Sequence, residues 1–496
     1  MKYFSHMNTA VQLLQQYNGS QPFGSFIKQF FSQHKKYGSK DRKNISQLCY
    51  AFFRLGKAAS QLPTEEHILT GLFLCSHEPN ELLQHLRPEW NDKTNLPLTE
   101  KISLAGIHHS PFTIHDLFPW KNELSNSIDH EPFCSSFLTQ PDLFLRLRPG
   151  KEQIVKSKLQ QAGITFQEIS STCIALPNAS KIDTVIETDR EAVIQDYSSQ
   201  RIGELMEVIH TSTALSAQDP TPSTTLRVSE TTDTPSTSAS AKASADKSLR
   251  VSEATDTPPT SASAKVSADK SLRVSEATDT PSTSASAKAS ADKSLRVSEA
   301  TDTPSTSASA KASADKPANK PLKLWDACAA SGGKSILAYD IFKHIDLTVS
   351  DVRKSILSNL EKRFAAAGIK QYNSFIGDIS TSTSEIQHAT FDIIITDVPC
   401  TGSGTWSRTP EQLYYFDPHQ IERYSALQKK IVSHAIPHLK PGGFLLYCTC
   451  SVFKKENEDV VQFISEQYPL QLLEKELMTG YDKKADTLFG AVFQKR

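Results

Sequence analysis

Leu322-Lys323-Leu324-Trp325-Asp326-Ala327-Cys328-Ala329-Ala330-Ser331-Gly332-Gly333-Lys334 reads as a short apolar strand, a glycine turn and the start of a helix. Glycine lets backbone approach a ligand closely, and a helix start presents free N–H groups. Two more apolar stretches end in comparable fashion. Residues 391–396 run into Asp397-Val398-Pro399-Cys400, and residues 443–447 into Cys448-Thr449-Cys450-Ser451. From residue 321 onward strands are expected over 322–325, 347–350, 374–376, 391–396, 444–448 and 488–493. Helices are expected from 334, over 354–367 and over about 419–438. That alternation predicts an α/β domain with a mostly parallel, Rossmann-like sheet carrying helices on both faces. In such sheets ligands bind at the carboxyl ends of the strands, where all three motifs fall.

A chain of 496 residues exceeds one ordinary domain. No apolar run approaches a membrane span and the N-terminus lacks a signal-type apolar region, so a soluble cytoplasmic protein is expected. Eight scattered cysteines do not make a disulfide framework, and Cys448 and Cys450 stand too close in sequence for a zinc pair, so no metal is expected. The net charge is only −1, but residues 1–60 carry nine Lys/Arg (Lys2, Lys28, Lys35, Lys36, Lys40, Arg42, Lys43, Arg54 and Lys57) against Asp41 alone. This local excess could follow a phosphate backbone, or it could be an ordinary solvated helical face.

Four segments follow from the pattern. Residues 1–130 read as helical, with Ala10, Leu13, Leu14 and Tyr17 on one face, Ile27, Phe30 and Phe31 on another, and Asp41 as a helix cap. Residues 131–212 read as a small α+β subdomain, with strands over 144–148, 172–176 and 192–195 and a helix over 151–162. Residues 213–320 lie in a stretch without Phe, Tyr or Trp, where Leu-Arg-Val-Ser-Glu recurs from Leu226, Leu249, Leu272 and Leu295. Each 23-residue unit offers too little apolar surface to offset its ordering entropy, so a disordered insert is expected. Residues 321–496 hold the α/β domain.

Asp351, at the end of the second strand, could accept hydrogen bonds from both hydroxyls of a ribose, and Asp378, at the end of the third, would stand where an adenine lies. Either acid alone is more often a cap or a surface charge. Free cysteines are usually core residues, and Cys448 is read as one. Methyl transfer to an unactivated pyrimidine carbon, however, requires covalent help from a thiolate, and an acid near N3 of the base stabilises the adduct. Cys400 and Cys450 are the candidate thiols and Asp397 the candidate acid. Spacing alone leaves open which thiol attacks.

The runs Cys328 to Lys334, Asp397-Val398-Pro399-Cys400-Thr401-Gly402-Ser403-Gly404 and Tyr447 to Ser451, with Glu456-Asn457-Glu458 following, resemble the RsmB/Sun (Nop2-like) family of RNA cytosine-5 methyltransferases. Gln195-Asp196-Tyr197-Ser198-Ser199-Gln200 is similar to the family segment before the cofactor loop. Gly38-Ser39-Lys40-Asp41-Arg42 with Phe52-Phe53-Arg54 resembles its NusB-like RNA-binding domain. The resemblance implies a class I methyltransferase sheet and S-adenosylmethionine held by Cys328, Ala329, Ala330, Ser331, Gly332, Gly333, Lys334, Asp351, Asp378 and Asp397. It implies that Cys450 is the nucleophile and that Cys400 assists product release. The expected partner is RNA, foremost 16S ribosomal RNA, with a monomeric enzyme. Ser331 departs from the proline usual in the family, which loosens the turn without removing a ligand. Two other readings are a transfer RNA cytosine-5 methyltransferase and a ribosome-assembly factor with a spent active site.

Overall fold

Apolar residues at helical spacing build the N-terminal region, which packs the helices Lys2–Gln16, Phe23–Gln33, Ser39–Arg54 and Thr64–Cys75 around one core. The computed structural model describes residues 2–106, 112–218 and 320–496. Ala10, Leu13, Leu14 and Tyr17 are all buried, as are Ile27 and Phe31. Asp41 is the third residue of its helix, so it caps from inside the first turn: its carboxylate accepts the Gly38 N–H at 3.0 Å. Not every cation of this region faces solvent. Arg54 is buried and donates to the carbonyls of Phe137 (2.6 Å) and Thr139 (3.1 Å), while Lys57 donates to the Tyr414 carbonyl at 2.6 Å.

The small subdomain holds β1 (Leu143–Leu147), β2 (Gln167–Glu168), β3 (Cys173–Leu176) and β4 (Ala192–Ile194) in the antiparallel order β2-β3-β1-β4. The helix Glu152–Gln161 lies between β1 and β2 in sequence. A further helix, Tyr197–Gln218, runs through the expected 212/213 boundary, so residues 213–218 extend it. The rest of the expected insert, 219–319, lies outside the described residues. Ile202, Leu205, Met206 and Ile209 of this helix are buried in the same core as Leu337, Val349 and Val492 of the α/β domain.

That domain is built on a seven-stranded sheet. Its strands are β5 (Leu322–Asp326), β6 (Ile345–Asp351), β7 (Asn373–Ile376), β8 (Phe391–Asp397), β9 (Leu439–Thr449), β10 (Leu470–Met478) and β11 (Leu488–Lys495). The order is β10-β11-β9-β8-β5-β6-β7, parallel from β9 to β7, with β11 antiparallel to β9 and to β10. The near-continuous apolar runs of β5, β8 and β9 follow from burial on both faces: Leu324, Ile393 and Leu446 face one core, Trp325, Ile394 and Leu445 the other. β10 was not expected; it is a largely exposed edge strand with an irregularity between Leu472 and Glu474.

Trp406, Phe416 and Phe453 of the α/β domain join Phe118 and Phe133 in the core of the helical region. The catalytic candidates therefore sit on a sheet whose C-terminal edge is buttressed by the N-terminal helices. Among the described residues, no helix is long and apolar enough to cross a membrane.

Candidate active site

The glycine turn leaves β5 at Asp326 and enters the helix Gly333–Phe342. Two residues in it adopt the left-handed conformation, Ala330 (φ 47°) and Gly332 (φ 83°). At Gly332 a side chain is excluded twice over, because a Cβ would also lie 2.7 Å from the Phe364 ring. The bend turns the Ala330 N–H onto Asp351 Oδ2 at 3.1 Å and the Ala329 N–H onto the Ser350 carbonyl at 2.9 Å. The turn is thereby locked to the end of β6. Ser331 is tied differently: Arg363 donates to its carbonyl (3.0 Å) and hydroxyl (3.1 Å) and also pairs with Asp189 at 2.7 Å. A side-chain clamp, Arg363 of the helix Lys354–Ala367 anchored on Asp189 of the small subdomain, thus restrains the turn where a proline ring would have stiffened it.

Cys328, Ala330, Asp351, Asp378 and Asp397 line one cavity of about 380 Å³, together with Val352, Arg353, Ile379 and Pro399. The cofactor-site candidates divide here, since Ala329, Ser331, Gly332, Gly333 and Lys334 shape the turn from behind without lining the cavity. Asp351 is buried and held by Arg353, whose backbone N–H (2.9 Å) and guanidinium (3.1 Å) reach Oδ1. Asp378 is exposed and oriented by Ser380, which donates its N–H (3.0 Å) and hydroxyl (2.6 Å) to Oδ1. Lys334 places its ammonium 2.6 Å from Asp397 Oδ2. Burial works against that ammonium, but Asp397 outweighs it and its pKa is raised. Beneath the turn, burial pushes the Asp326 carboxyl up to about 7, with the Ser335 hydroxyl donating to it at 2.6 Å.

The two thiol loops leave adjacent parallel strands. Asp397 pairs with Cys448 across β8 and β9, so the chain positions beyond them stay side by side. Cys400 Sγ and Cys450 Sγ lie 3.2 Å apart. The Cys400 thiol is pushed well up by its hydrogen bond with Cys450 and by burial. Cys448 is fully buried, a core residue whose thiol burial also raises.

Glu456 holds the two loops together, a role that the run Glu456-Asn457-Glu458 does not announce by itself. This buried carboxylate accepts from the Thr401 N–H (2.9 Å), the Thr401 hydroxyl (2.6 Å), the Ser451 hydroxyl (2.7 Å) and Gln428 Nε2 (3.0 Å). Thr401 follows Cys400 and Ser451 follows Cys450, so one side chain fixes both thiol-bearing turns. Gln428 extends the bracket to the Pro399 carbonyl at 3.0 Å. Gly404 completes it: its N–H donates to the Cys450 carbonyl at 2.9 Å, and a Cβ there would lie 1.9 Å from the Thr487 carbonyl oxygen. Thr401, Gly404 and Ser451 lie within the motif runs and Gln428 outside them, but only contact shows the part each plays.

Residues 314–487 match the family model for the 16S rRNA methyltransferase RsmB/F. The chain is 35% identical over 136 residues to ribosomal RNA small subunit methyltransferase B of Shewanella oneidensis, covering 27% of this chain and 32% of that protein. It is 42% identical over 81 residues to ribosomal RNA small subunit methyltransferase F of Shewanella amazonensis, covering 16% of this chain and 17% of that one. The chain thus matches about a third or less of the length of these relatives. Among solved structures it shares its fold with PH0851, at a TM-score of 0.57 and 15% identity, covering 100% of this chain and 98% of that one. Residues 314–487, which hold most of the α/β sheet and both thiol loops, thus resemble the methyltransferase domain of the RsmB/F family.

Proposed function

We propose that this protein is an S-adenosylmethionine-dependent RNA cytosine-5 methyltransferase acting on small-subunit (16S) ribosomal RNA. The observation that carries the chemistry is the pair of thiols, 3.2 Å apart at the ends of neighbouring strands beside a cavity lined by three carboxylates. Methylation of a pyrimidine carbon needs one group to add covalently and another to help undo the addition, and a thiol pair supplies both.

The residues fit the cofactor. The cavity offers the buried Asp351 carboxylate at one strand end, the oriented Asp378 carboxylate at the next, and the apolar side chains of Val352 and Ile379. Bound there, S-adenosylmethionine supplies an electrophilic methyl group. Cys450, as thiolate, forms a bond to C6 of the cytosine, and the electron density gained at C5 makes that carbon the nucleophile. Asp397, held by Lys334, faces the N3 side of the ring in this assignment and orients the base. After transfer a base takes the C5 proton, and the electrons of the C5–H bond re-form the C5–C6 double bond and expel Cys450 as a thiolate; Cys400 assists this release. The target base must leave its stack to reach the site.

RNA is assigned to the helical region, read as NusB-like, where Lys28, Lys35, Lys36 and Lys43 remain after Arg54 and Lys57 are spent on backbone carbonyls. The decisive experiment compares two variants on 16S RNA. Cys450→Ala should bind RNA and cofactor but form no product and no adduct. Cys400→Ala should transfer the methyl group and then stall as a protein–RNA adduct that survives a denaturing gel. A stable adduct with Cys450→Ala instead would exchange the roles, and full activity in both variants would sink the covalent mechanism.

A further inference from the structure

Away from the sheet, His115, His130 and Cys134 bring two imidazoles and a thiol together, with one ligand atom of each within 4.8 Å of the others. His115 is exposed, on the short 3-10 segment Ile114–Leu117; His130 and Cys134 are buried, one turn apart on the helix His130–Ser136. The Nδ1 atoms of the two histidines are 3.1 Å apart, with ring planes within 16° of parallel. Nitrogens bound to one tetrahedral zinc ion at about 2.0–2.1 Å each stand about 3.3 Å apart. The observed pair needs to open by only about 0.2 Å to accept it.

The surroundings suit a cation. His130 Nε2 contacts the Phe118 carbonyl at 2.8 Å, which places the ring proton on Nε2 and leaves the Nδ1 lone pair free for a metal. Asp116 fixes the turn carrying His115 by accepting the Thr113 N–H at 2.6 Å and its hydroxyl at 2.9 Å. Two neutral imidazoles and one thiolate form a donor set for zinc rather than for calcium or magnesium.

We infer that His115, His130 and Cys134 bind one zinc ion. The ion would staple the segment Ile114–Leu117 to the helix His130–Ser136. Phe118, next to that segment, stacks on Phe453 at 5.7 Å, three residues beyond Cys450. The staple thus braces the helical region where it meets the end of a thiol loop. The expectation of no metal rested on the close spacing of Cys448 and Cys450; this cluster is assembled from residues up to 19 positions apart, and no short motif marks it.

The test uses the full chain without an affinity tag. Metal analysis after dialysis should find one zinc per chain, and substitution by cobalt should give a thiolate-to-cobalt charge-transfer band. Cys134→Ser should abolish the band, whereas a Cys400→Ser/Cys450→Ser double variant should keep it, which separates this site from the thiol pair of the candidate active site. Because Cys134 is buried, His115→Ala provides the variant that disturbs no core packing. It should weaken cobalt binding at least about tenfold, since even partners one shell out from a metal are worth that much. A chelator should lower the melting temperature of the parent by clearly more than that of His115→Ala. Absence of stoichiometric metal would overturn the proposal and reduce the 3.1 Å contact to an imidazole–imidazole hydrogen bond. A cobalt band that survives Cys134→Ser and vanishes in the double variant would overturn it as well.

Discussion

Replacing Glu456 by Ala removes a buried carboxylate that accepts four hydrogen bonds from the two thiol loops and Gln428. The hydroxyls have other partners within reach: Thr401 Oγ1 lies 3.2 Å from Ser403 Oγ and 3.3 Å from Ser451 Oγ. The Thr401 N–H and one N–H of Gln428 do not. Two orphaned buried donors cost about 2–6 kcal/mol. Relief from burying the carboxylate, whose pKa burial raises, offsets part of this, leaving a loss of about 3 kcal/mol. Glu456→Gln should cost only about 1 kcal/mol, because an amide oxygen can take both N–H donors while its NH2 faces hydroxyls able to accept. The larger effect belongs to the chemistry. Without the bracket, the Cys400 and Cys450 turns lose their common anchor, and a displacement of about 1 Å costs about 100-fold in rate. In the reaction proposed above, methyl incorporation into 16S RNA, assayed well below the melting temperature, should fall about 100-fold for Ala and only a few-fold for Gln. A Glu456→Ala protein that is destabilised yet keeps its rate within about threefold would refute the argument, since the turns would then hold their spacing unaided.

Three other outcomes follow from particular contacts. Charge reversal of Lys35, Lys36 and Lys43 should weaken RNA binding and flatten its log–log salt slope by about 2, with cofactor affinity unchanged; an unaltered slope would return these lysines to an ordinary solvated face. Asp326 is held near pKa 7 by burial against an ordinary 3.8, so between about pH 4 and 7 the folded chain keeps a proton that the unfolded chain has lost. Stability should therefore fall through that window by up to about 4 kcal/mol, and the stabilising effect of Asp326→Asn should grow from small at pH 4 to full above pH 7, read as the difference in melting temperature. Gly404→Ala should displace the Cys450 carbonyl or the Thr487 backbone at a cost above about 3 kcal/mol and abolish adduct formation; a stable, active variant would show that the close approach is not required.

The α/β half was legible because burial on both faces of the sheet writes uninterrupted apolar runs, as in Phe391–Asp397, and because each run ends in a chemically distinctive residue. The helix Lys354–Ala367 was read to its ends, bounded by Arg353 and Gly368. What escaped has a physical reason in each case. β10 is an exposed edge strand with little alternation to read. The part played by Glu456 depends on Thr401 and Ser451 meeting it, 55 and 5 residues away along the chain. Arg363 stands in for the missing proline from 32 residues away, and no local pattern announces that. The basic N-terminal count overstated the free surface charge because buried carbonyls consume Arg54 and Lys57.

The helix Tyr197–Gln218 lends Ile202, Leu205, Met206 and Ile209 to a core whose other half is encoded only after residue 320. A ribosome therefore finishes this helix long before its docking partners Leu337 and Val492 exist. At about 5–20 residues per second, the roughly one hundred intervening residues postpone the meeting by about 5–20 s. Throughout that delay an oily stripe stands unclaimed on the nascent chain. Chaperone occupancy on translating ribosomes should consequently peak as residues 219–319 are synthesised and fall once β11 has emerged, so the length of this segment sets a timer on folding.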